Sequence, residues 1–385
     1  MGRGLRMSRC TAASGGLKVR RRKTKFGEGI PGTVRAKSIR AIVRATLGVC
    51  VSVAIVFAFG EVLARSLNIV DRLNGTPRKL YQRTEHPALP YRLRPGARVD
   101  LQKYSVSVNR FGLRGQDVAA TRAPGERRLL VLGDSVVFGA SVADEETFPV
   151  KLQEALMARN GWRGAVLNGG VPGYNVAAEA AFLESIGWDL DPDGIVLGVS
   201  LNDFGETPRL NAFGVMTQRA RAGSPGWLER HSEFYLLMRW LWDYGRGRHW
   251  FQAMSAVPAS ERAEKFAALN GIVEKLQRGF YDSPPAPRWH RVGRALAAVR
   301  DQTRAHDVPF TVVLFPEKFQ FGEPAYREPQ RLWLELCDEL DISCFDLWPA
   351  FERALRVDQD LFFDAQHPNA AGLAVAASAV ADHLR

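Results

Sequence analysis

Arg128-Leu-Leu-Val-Leu-Gly-Asp-Ser135 is a short apolar run that stops at a glycine and two polar residues. Four aliphatic residues in a row, without apolar/polar alternation, fit a strand covered on both faces. Gly133-Asp134-Ser135 then reads as a tight turn that presents a hydroxyl. The same kind of apolar run recurs at Ala165–Leu167, Gly194–Gly198, Pro309–Phe315 and Ile342–Leu347. Between these runs, Thr147–Arg159, Ala177–Ile186, Val292–Ala305, Gln330–Leu340 and Ala370–Leu384 carry apolar residues at helical spacing. Buried strands alternating with amphipathic helices predict a three-layer α/β/α domain around a parallel sheet.

The chain has 385 residues and a formal net charge of +11. That charge would suggest a nucleic-acid partner if it were spread over the body. Residues 1–44 instead hold 13 of the 52 Lys/Arg and one acid, Glu28. The remaining 341 residues carry 39 Lys/Arg against 40 Asp/Glu. The basicity belongs to a tail, and no nucleic-acid partner is expected for the near-neutral body.

The segment after the tail accounts for its charge. Ala45–Gly60 is an uncharged, mostly apolar run of 16 residues that continues through Glu61 to Val62-Leu63-Ala64. A membrane span takes about 20 residues. Residues 45–64 therefore predict one N-terminal transmembrane helix, with Glu61 at its far interface and Arg44 snorkelling at the near one. Positive charge on one flank only places the N-terminus in the cytoplasm and the body outside, periplasmic or extracellular. A cleaved secretory signal and a buried core helix are the rival readings. A basic tail this long disfavours the signal.

The predicted organisation is a disordered basic tail (1–44), the span (45–64), a linker with short accessory strands (65–127) and the α/β domain (128–385). Residues 204–288 interrupt the strand–helix alternation as an insertion, with helical character at Phe234–Trp242 and Ser260–Leu276. They read as a lid, a substrate wall or a packed helical pair. Of the four cysteines, Cys10 lies in the tail and Cys50 in the span. Cys337 and Cys344 would face a compartment that permits a disulfide. The strand position of Cys344 favours a buried free thiol. No CxxC or Cys/His cluster is present, so neither a metal nor a cofactor is expected.

Open α/β sheets gather their sites at the carboxyl ends of strands. Four features fall there: Ser135, the turn Asn168–Gly173, Asn202 within Gly198-Val-Ser-Leu-Asn-Asp203, and Asp364 with His367 after the apolar Leu361–Phe363. A serine hydroxyl is a weak nucleophile until an imidazole takes its proton, which assigns His367 as base. Asp364, three residues before it, would hold the ring in the useful tautomer. The backbone N–H of Ser135, the N–H of Gly173 and the Asn202 amide would receive the oxyanion. Asp134 and Asp203 read as structural groups bonding local amides. His86, His231, His249, His290, His306 and His383 have no partner motif, and the tryptophans at 240, 242 and 250 read as core.

Gly133-Asp-Ser135, Asn168–Gly173, Gly198-x-x-x-Asn202-Asp203 and Asp364-x-x-His367 resemble, in order, the four blocks of the SGNH (GDSL-type) hydrolases. The resemblance covers residues 128–385. It implies a flavodoxin-like fold with Ser135 as nucleophile, His367 as base, Asp364 as its orienter, and Gly173 rather than Gly170 as the oxyanion glycine alongside Asn202. The chain departs in one place, with three residues between Gly198 and Asn202 where the family often has one. The implied function is a membrane-anchored serine esterase acting on an acyl ester. Its expected substrate is an acylated small molecule or glycan, with O-acetyl groups on an envelope or secreted glycan favoured. Two alternatives share the fold: an O-acyltransferase using the same serine, and a non-catalytic glycan-binding or scaffold protein. The motifs set no oligomeric state.

Overall fold

Each of the five apolar runs forms one strand of a single parallel sheet in a computed structural model of the chain. The structure describes residues 32–384 apart from 68, 70–78, 102–103, 120, 141, 161, 211–215, 218–226, 245–258 and 358–359. The chain divides into two units, Met1–Phe59 and Gly60–Arg385. The first holds most of one long helix, Gly32–Ser66, whose last residues from Gly60 belong to the second. Its Arg40–Ser66 portion is long and apolar enough to cross a membrane. Most side chains from Arg40 to Phe59 are exposed, Ile55 at 63% and Phe59 at 69%, which a soluble core helix would not show. The helix starts at Gly32, inside the basic stretch expected to be disordered. The rest of that stretch, residues 1–31, lies outside the described residues.

The second unit opens with two small antiparallel pairs. β1 (Tyr81–Arg83) pairs with β2 (Tyr91–Leu93), and β3 (Arg98–Leu101) with β4 (Tyr104–Ser107). All four lie between the long N-terminal helix and the first strand of the main sheet. The main sheet comes next: β5 (Arg127–Gly133), β6 (Gly164–Gly170), β7 (Gly194–Val199), and, after the short antiparallel pair β8 (Arg209–Leu210) and β9 (Met216–Thr217), β10 (Phe310–Leu314) and β11 (Ser343–Asp346). The order across the sheet is β11-β10-β7-β5-β6, with every pairing parallel. The first strand is thus flanked by the second and the third, the flavodoxin-like arrangement. Its switch point leaves a crevice outside the carboxyl ends of β5, β6 and β7.

Strand side chains alternate between two apolar layers. Leu130, Leu132, Leu167, Ile195, Leu197 and Val312 face one layer, together with Phe182, Leu296, Val299 and Trp333 from the helices Val176–Ser185, Ala286–Ala305 and Glu328–Glu339. Val131, Val166, Val196 and Val313 face the other, with Leu152, Phe351, Leu373 and Val380 from the helices Phe148–Asn160, Trp348–Leu355 and Ala370–His383. Covering both faces explains why the strands read as continuous apolar runs. Each such fully buried aliphatic side chain contributes roughly 1.5–3 kcal/mol.

The insertion contributes the helices Trp227–His231, Glu233–Tyr244 and Ala259–Tyr281. The last is fastened to the domain at its end. Phe280 stacks on Phe204 with centroids 3.7 Å apart, and Trp333 Nε1 donates to the Tyr281 hydroxyl at 3.1 Å.

Three sequence expectations need correction. Cys337 and Cys344 form a disulfide, with Cα atoms 6.2 Å apart. The helix ending near Cys337 and the adjacent β11 are joined by so few residues that the two side chains meet, and Cys344 is only half-buried. Leu361–Phe363 is not a strand but the entry to a loop closed by one isolated bridge, Phe362 with Pro368. The helix Trp348–Leu355 was not anticipated.

Candidate active site

Ser135 begins a four-residue helix, Ser135–Phe138, set directly on the carboxyl end of β5. Asp134 caps it, its side chain accepting from the Val136 N–H at 2.8 Å. The helix can sit this low because of missing Cβ atoms. A Cβ on Gly133 would lie 2.4 Å from Val137 Cγ2, and one on Gly170 would lie 2.3 Å from the Phe138 nitrogen. Gly198 is under the same restraint, 2.5 Å from Val137 Cγ2. The far end of the helix is held by Arg114, 3% exposed, whose Nη1 donates to the Phe138 and Gly139 carbonyls at 2.8 and 2.6 Å. The same guanidinium reaches the Val142 carbonyl and, through Nε, Asp144, each at 2.8 Å.

His367 reaches this serine from 232 residues away in sequence, with its Nε2 2.9 Å from Ser135 Oγ. On its other side, Nδ1 lies 2.9 and 3.0 Å from the two Asp364 oxygens. Asp364 Oδ1 also accepts the backbone N–H groups of Gln366 and His367, both at 2.8 Å. A single carboxylate therefore shapes the turn and orients the ring, which explains the three-residue spacing. Burial raises the Asp364 carboxyl, but the bonds from His367 and Gln366 outweigh it and leave the group below its usual range. For His367, burial acts downward, yet the Asp364 bond and charge, with Asp134 and Glu317 beyond, hold the imidazole above its usual value.

The two oxyanion candidates lie in the turns after β6 and β7, the strands that flank β5. Gly173 comes after Pro172 with φ +81°, a left-handed conformation that favours glycine. Its turn is braced by the accessory strands: Tyr91, fully buried in β2, donates its hydroxyl to the Pro172 carbonyl at 2.7 Å, and Tyr174 donates to the Tyr91 carbonyl. Gly170 is taken up by its contact with the serine helix. Asn168 shapes the start of the turn, its Oδ1 accepting the Gly170 N–H at 3.0 Å.

Asn202 is exposed in the turn after β7. Ser200 Oγ stands 2.8 Å from both Asn202 Oδ1 and Asp134 Oδ2. A hydroxyl has one proton, so it serves one of these acceptors at a time. A bond to Asn202 Oδ1 occupies the amide's acceptor end and leaves its N–H₂ end to be the donor. Asp203 accepts the Ser200 N–H at 2.8 Å, as a turn-forming aspartate should. The extra residues between Gly198 and Asn202 form this serine-centred turn.

Several buried groups near the site escaped the sequence reading. Glu179, wholly buried in the Val176–Ser185 helix, has no hydrogen-bond partner for either carboxylate oxygen among the described residues. Burial, then the charge of Asp134, pushes its carboxyl well above the usual range. Asp203 is raised likewise, by burial and then by Glu179 and Asp134. Burial and mutual repulsion thus act on both carboxyls in the same direction, against ionisation. Glu317, 1% exposed, is raised from 4.5 to about 8 by burial, partly offset by bonds from Gln277 and Gln366 and by the His367 charge. Gln277, from the insertion, donates to Glu317 Oε1 at 2.7 Å. The one local signal for Glu179 was a lone acid in the run Val176-Ala-Ala-Glu-Ala-Ala-Phe-Leu183. Arg114, Tyr91 and Gln277 had no comparable signal.

Beside this crevice, a cavity of about 380 Å³ is lined by Asn175, Asp203, Phe204, Thr207, Arg288 and Arg291, among others. No group of His, Cys, Asp and Glu arranged to hold a metal occurs among the described residues.

The profile of the GDSL-like lipase/acylhydrolase family matches residues 131–375, more than half of the chain. Several solved structures are similar. A protein described as lipolytic and of the G-D-S-L family, from Desulfitobacterium hafniense, shares 11% identity over 67% of this chain and 99% of its own, with a TM-score of 0.38. TesA shares 13% over 67% and 98%, with a TM-score of 0.39. A catalytic mutant of Axe2, an acetylxylan esterase from Geobacillus stearothermophilus, shares 15% over 67% and 94%, with a TM-score of 0.38. Among curated proteins there is no match.

Proposed function

The chain belongs to the GDSL-like lipase/acylhydrolase family and is a hydrolase acting on ester bonds, and on that premise we propose that Ser135, His367 and Asp364 are its catalytic triad. The observation that carries the reading is the continuous relay from Ser135 Oγ to His367 Nε2 at 2.9 Å and from His367 Nδ1 to Asp364 at 2.9 Å. Both lengths are those of formed hydrogen bonds.

In the proposed reaction His367 Nε2 takes the Ser135 proton as Oγ attacks the ester carbonyl carbon. The negative charge that develops on the carbonyl oxygen is met by the N–H groups of Ser135 and Gly173 and the amide of Asn202. Collapse of the tetrahedral intermediate breaks the bond to the alcohol oxygen, which receives the proton from His367. Water then attacks the acyl-serine with His367 again as base, releasing the acid and restoring the hydroxyl. Asp364 keeps Nδ1 protonated and stabilises the imidazolium in both halves. Gly173 is assigned over Gly170 because Gly170 is occupied by its contact with the serine helix.

The acyl group is read as small, O-acetyl foremost. The alcohol is read as a sugar hydroxyl of an envelope or secreted glycan, in keeping with an anchor in residues 45–64. The tail is placed in the cytoplasm and the α/β domain outside, from the one-sided positive flank. The full chain in detergent should hydrolyse p-nitrophenyl acetate and accept a fluorophosphonate on Ser135. Retained turnover in Ser135→Ala would sink the assignment. Adding an oligosaccharide acceptor separates hydrolysis from transfer, because an acetylated sugar product in excess of free acetate would mark an O-acyltransferase.

A further inference from the structure

The last turns of the Gly32–Ser66 helix are locked to the insertion. The Glu61 carboxylate accepts the Ser232 hydroxyl at 2.7 Å and the N–H groups of Glu233 and Phe234, each at 3.0 Å. It thereby does for the Glu233–Tyr244 helix what an N-cap side chain normally does from within the same segment. Arg65 donates to Glu61 and to the His231 carbonyl, both at 2.6 Å. The Phe234 ring packs directly on the backbone at Gly60, where a Cβ would fall 2.5 Å from it.

The helix capped in this way turns Leu236 inward at 2% exposure, while Met238, Leu241 and Trp242 are 48%, 47% and 62% exposed, so Trp242 is not the core residue expected from the sequence. Those three occupy positions i, i+3 and i+4, hence one face. The preceding short helix adds Trp227 and Leu228, 67% and 40% exposed. Large apolar side chains grouped in this way mark a surface that is covered by something. The helix that carries this surface starts at the end of the membrane-crossing segment, because Glu61, the first acid after the apolar run, is the residue that caps it. Tryptophan beside long aliphatic side chains suits the level where headgroups meet acyl chains.

We infer that the Trp227–Tyr244 segment lies flat in the lipid headgroup region, with Met238, Leu241 and Trp242 inserted toward the acyl chains. The inference rests on the membrane-anchor part of the proposed function and adds a second, peripheral contact to it. The covering surface is lipid rather than a protein partner, because the patch begins at the membrane exit itself. The same insertion reaches Glu317 beside the catalytic loop through Gln277, so one segment touches both the bilayer and the surroundings of the base.

The test uses the full chain with Cys10→Ser and Cys50→Ser, in vesicles of phosphatidylcholine and phosphatidylglycerol. One new cysteine at a time carries an environment-sensitive NBD label: Trp242→Cys on the patch, Val53→Cys in the span, or Val357→Cys, a residue 68% exposed elsewhere on the body. Each labelled protein must first show the unfolding transition of the unlabelled parent. The expected result at Trp242→Cys is blue-shifted emission, quenched more by a doxyl group near the headgroup than by one in mid-chain. Val53→Cys should show the opposite depth order, and Val357→Cys should be quenched by aqueous iodide alone. If the Val53 label is in lipid while the Trp242 label behaves like Val357, the interfacial inference fails and the anchor stands. If the Trp242 label is blue-shifted but insensitive to lipid doxyl, protein covers the patch and the inference also fails. If Val53 is itself outside lipid, anchor and inference fall together.

Discussion

The two sides of the crevice are built in opposite ways. On the serine side, the helix Ser135–Phe138 is seated on strand ends by glycines at 133, 170 and 198, and Arg114 pins its far end. Little there can move without a backbone shift. On the histidine side there is no strand. Asp364 and His367 occupy a loop closed by one bridge, and its neighbours are the charges and amides of Glu317, Gln366 and Gln277. The proposed nucleophile is fixed by packing, while the proposed base is fixed and tuned by polar contacts. Changes on the first side should alter whether the site exists, and changes on the second should alter the pH at which it works.

The largest effect belongs to the serine side. Ser135→Ala should cut kcat by roughly 10⁴-fold or more in an ester hydrolysis assay, with its melting temperature close to that of the parent. Gly170→Ala should lose a comparable share of activity although position 170 is assigned no chemical role, because its Cβ collides with backbone at Phe138. An active Gly170→Ala would show that the serine helix is free to shift.

On the histidine side, Asp364→Asn should lower kcat by about 10³–10⁴-fold. It should also move the acid limb. The base works neutral, and His367 is held above its usual 6.5, so kcat/KM should rise with pH through a midpoint above 6.5. Without the Asp364 charge, burial is left to act, and the midpoint should fall. A limb that stays in place in a pH–rate profile would detach Asp364 from the base. The raised imidazole also links to stability. Its contribution is complete below 6.5 and is lost as pH rises through the folded value.

Asn202→Ala should cost about 10²–10³-fold in kcat with little change in the pH profile, the signature of a lost oxyanion donor. At Glu317 the expected effect is on stability rather than on turnover. Its carboxyl titrates at about 8 when folded against 4.5 ordinarily, so the native state keeps a proton that the unfolded chain releases. Stability from this group therefore declines as pH rises from 4.5 to about 8, by up to roughly 1.4 kcal/mol per pH unit. Urea midpoints of Glu317→Gln against the parent should converge at low pH and favour the variant as pH approaches 8. Parallel curves would contradict the buried, raised carboxyl.

Legibility in the sequence divides along the same line. The serine side was readable because its determinants are local. Leu129–Leu132 is uniformly apolar because both faces of β5 are covered, and Gly133-Asp134-Ser135 sits where the strand stops. The parallel sheet was readable from the alternation of strands and helices. The histidine loop was half readable. Asp364-x-x-His367 announces itself by spacing, but Leu361–Phe363 was misread as a strand because an apolar triplet looks alike in a strand and in a loop entry. The side chains that brace the site were not readable, because Arg114, Tyr91 and Gln277 act across long separations in sequence. Cys344 misled for a related reason, since a place in a strand does not reveal that Cys337 lies within reach on the neighbouring helix.

The contact between Gly170 and Phe138 limits how such a protein can change. The position of the nucleophile is defined by atoms that are absent, and an absent atom cannot be traded for a slightly different one. Substitutions at 133, 170 and 198 are all-or-nothing, so this floor of the crevice offers no graded route to a new substrate. Graded change is left to side chains such as Asn202, exposed in the turn after β7.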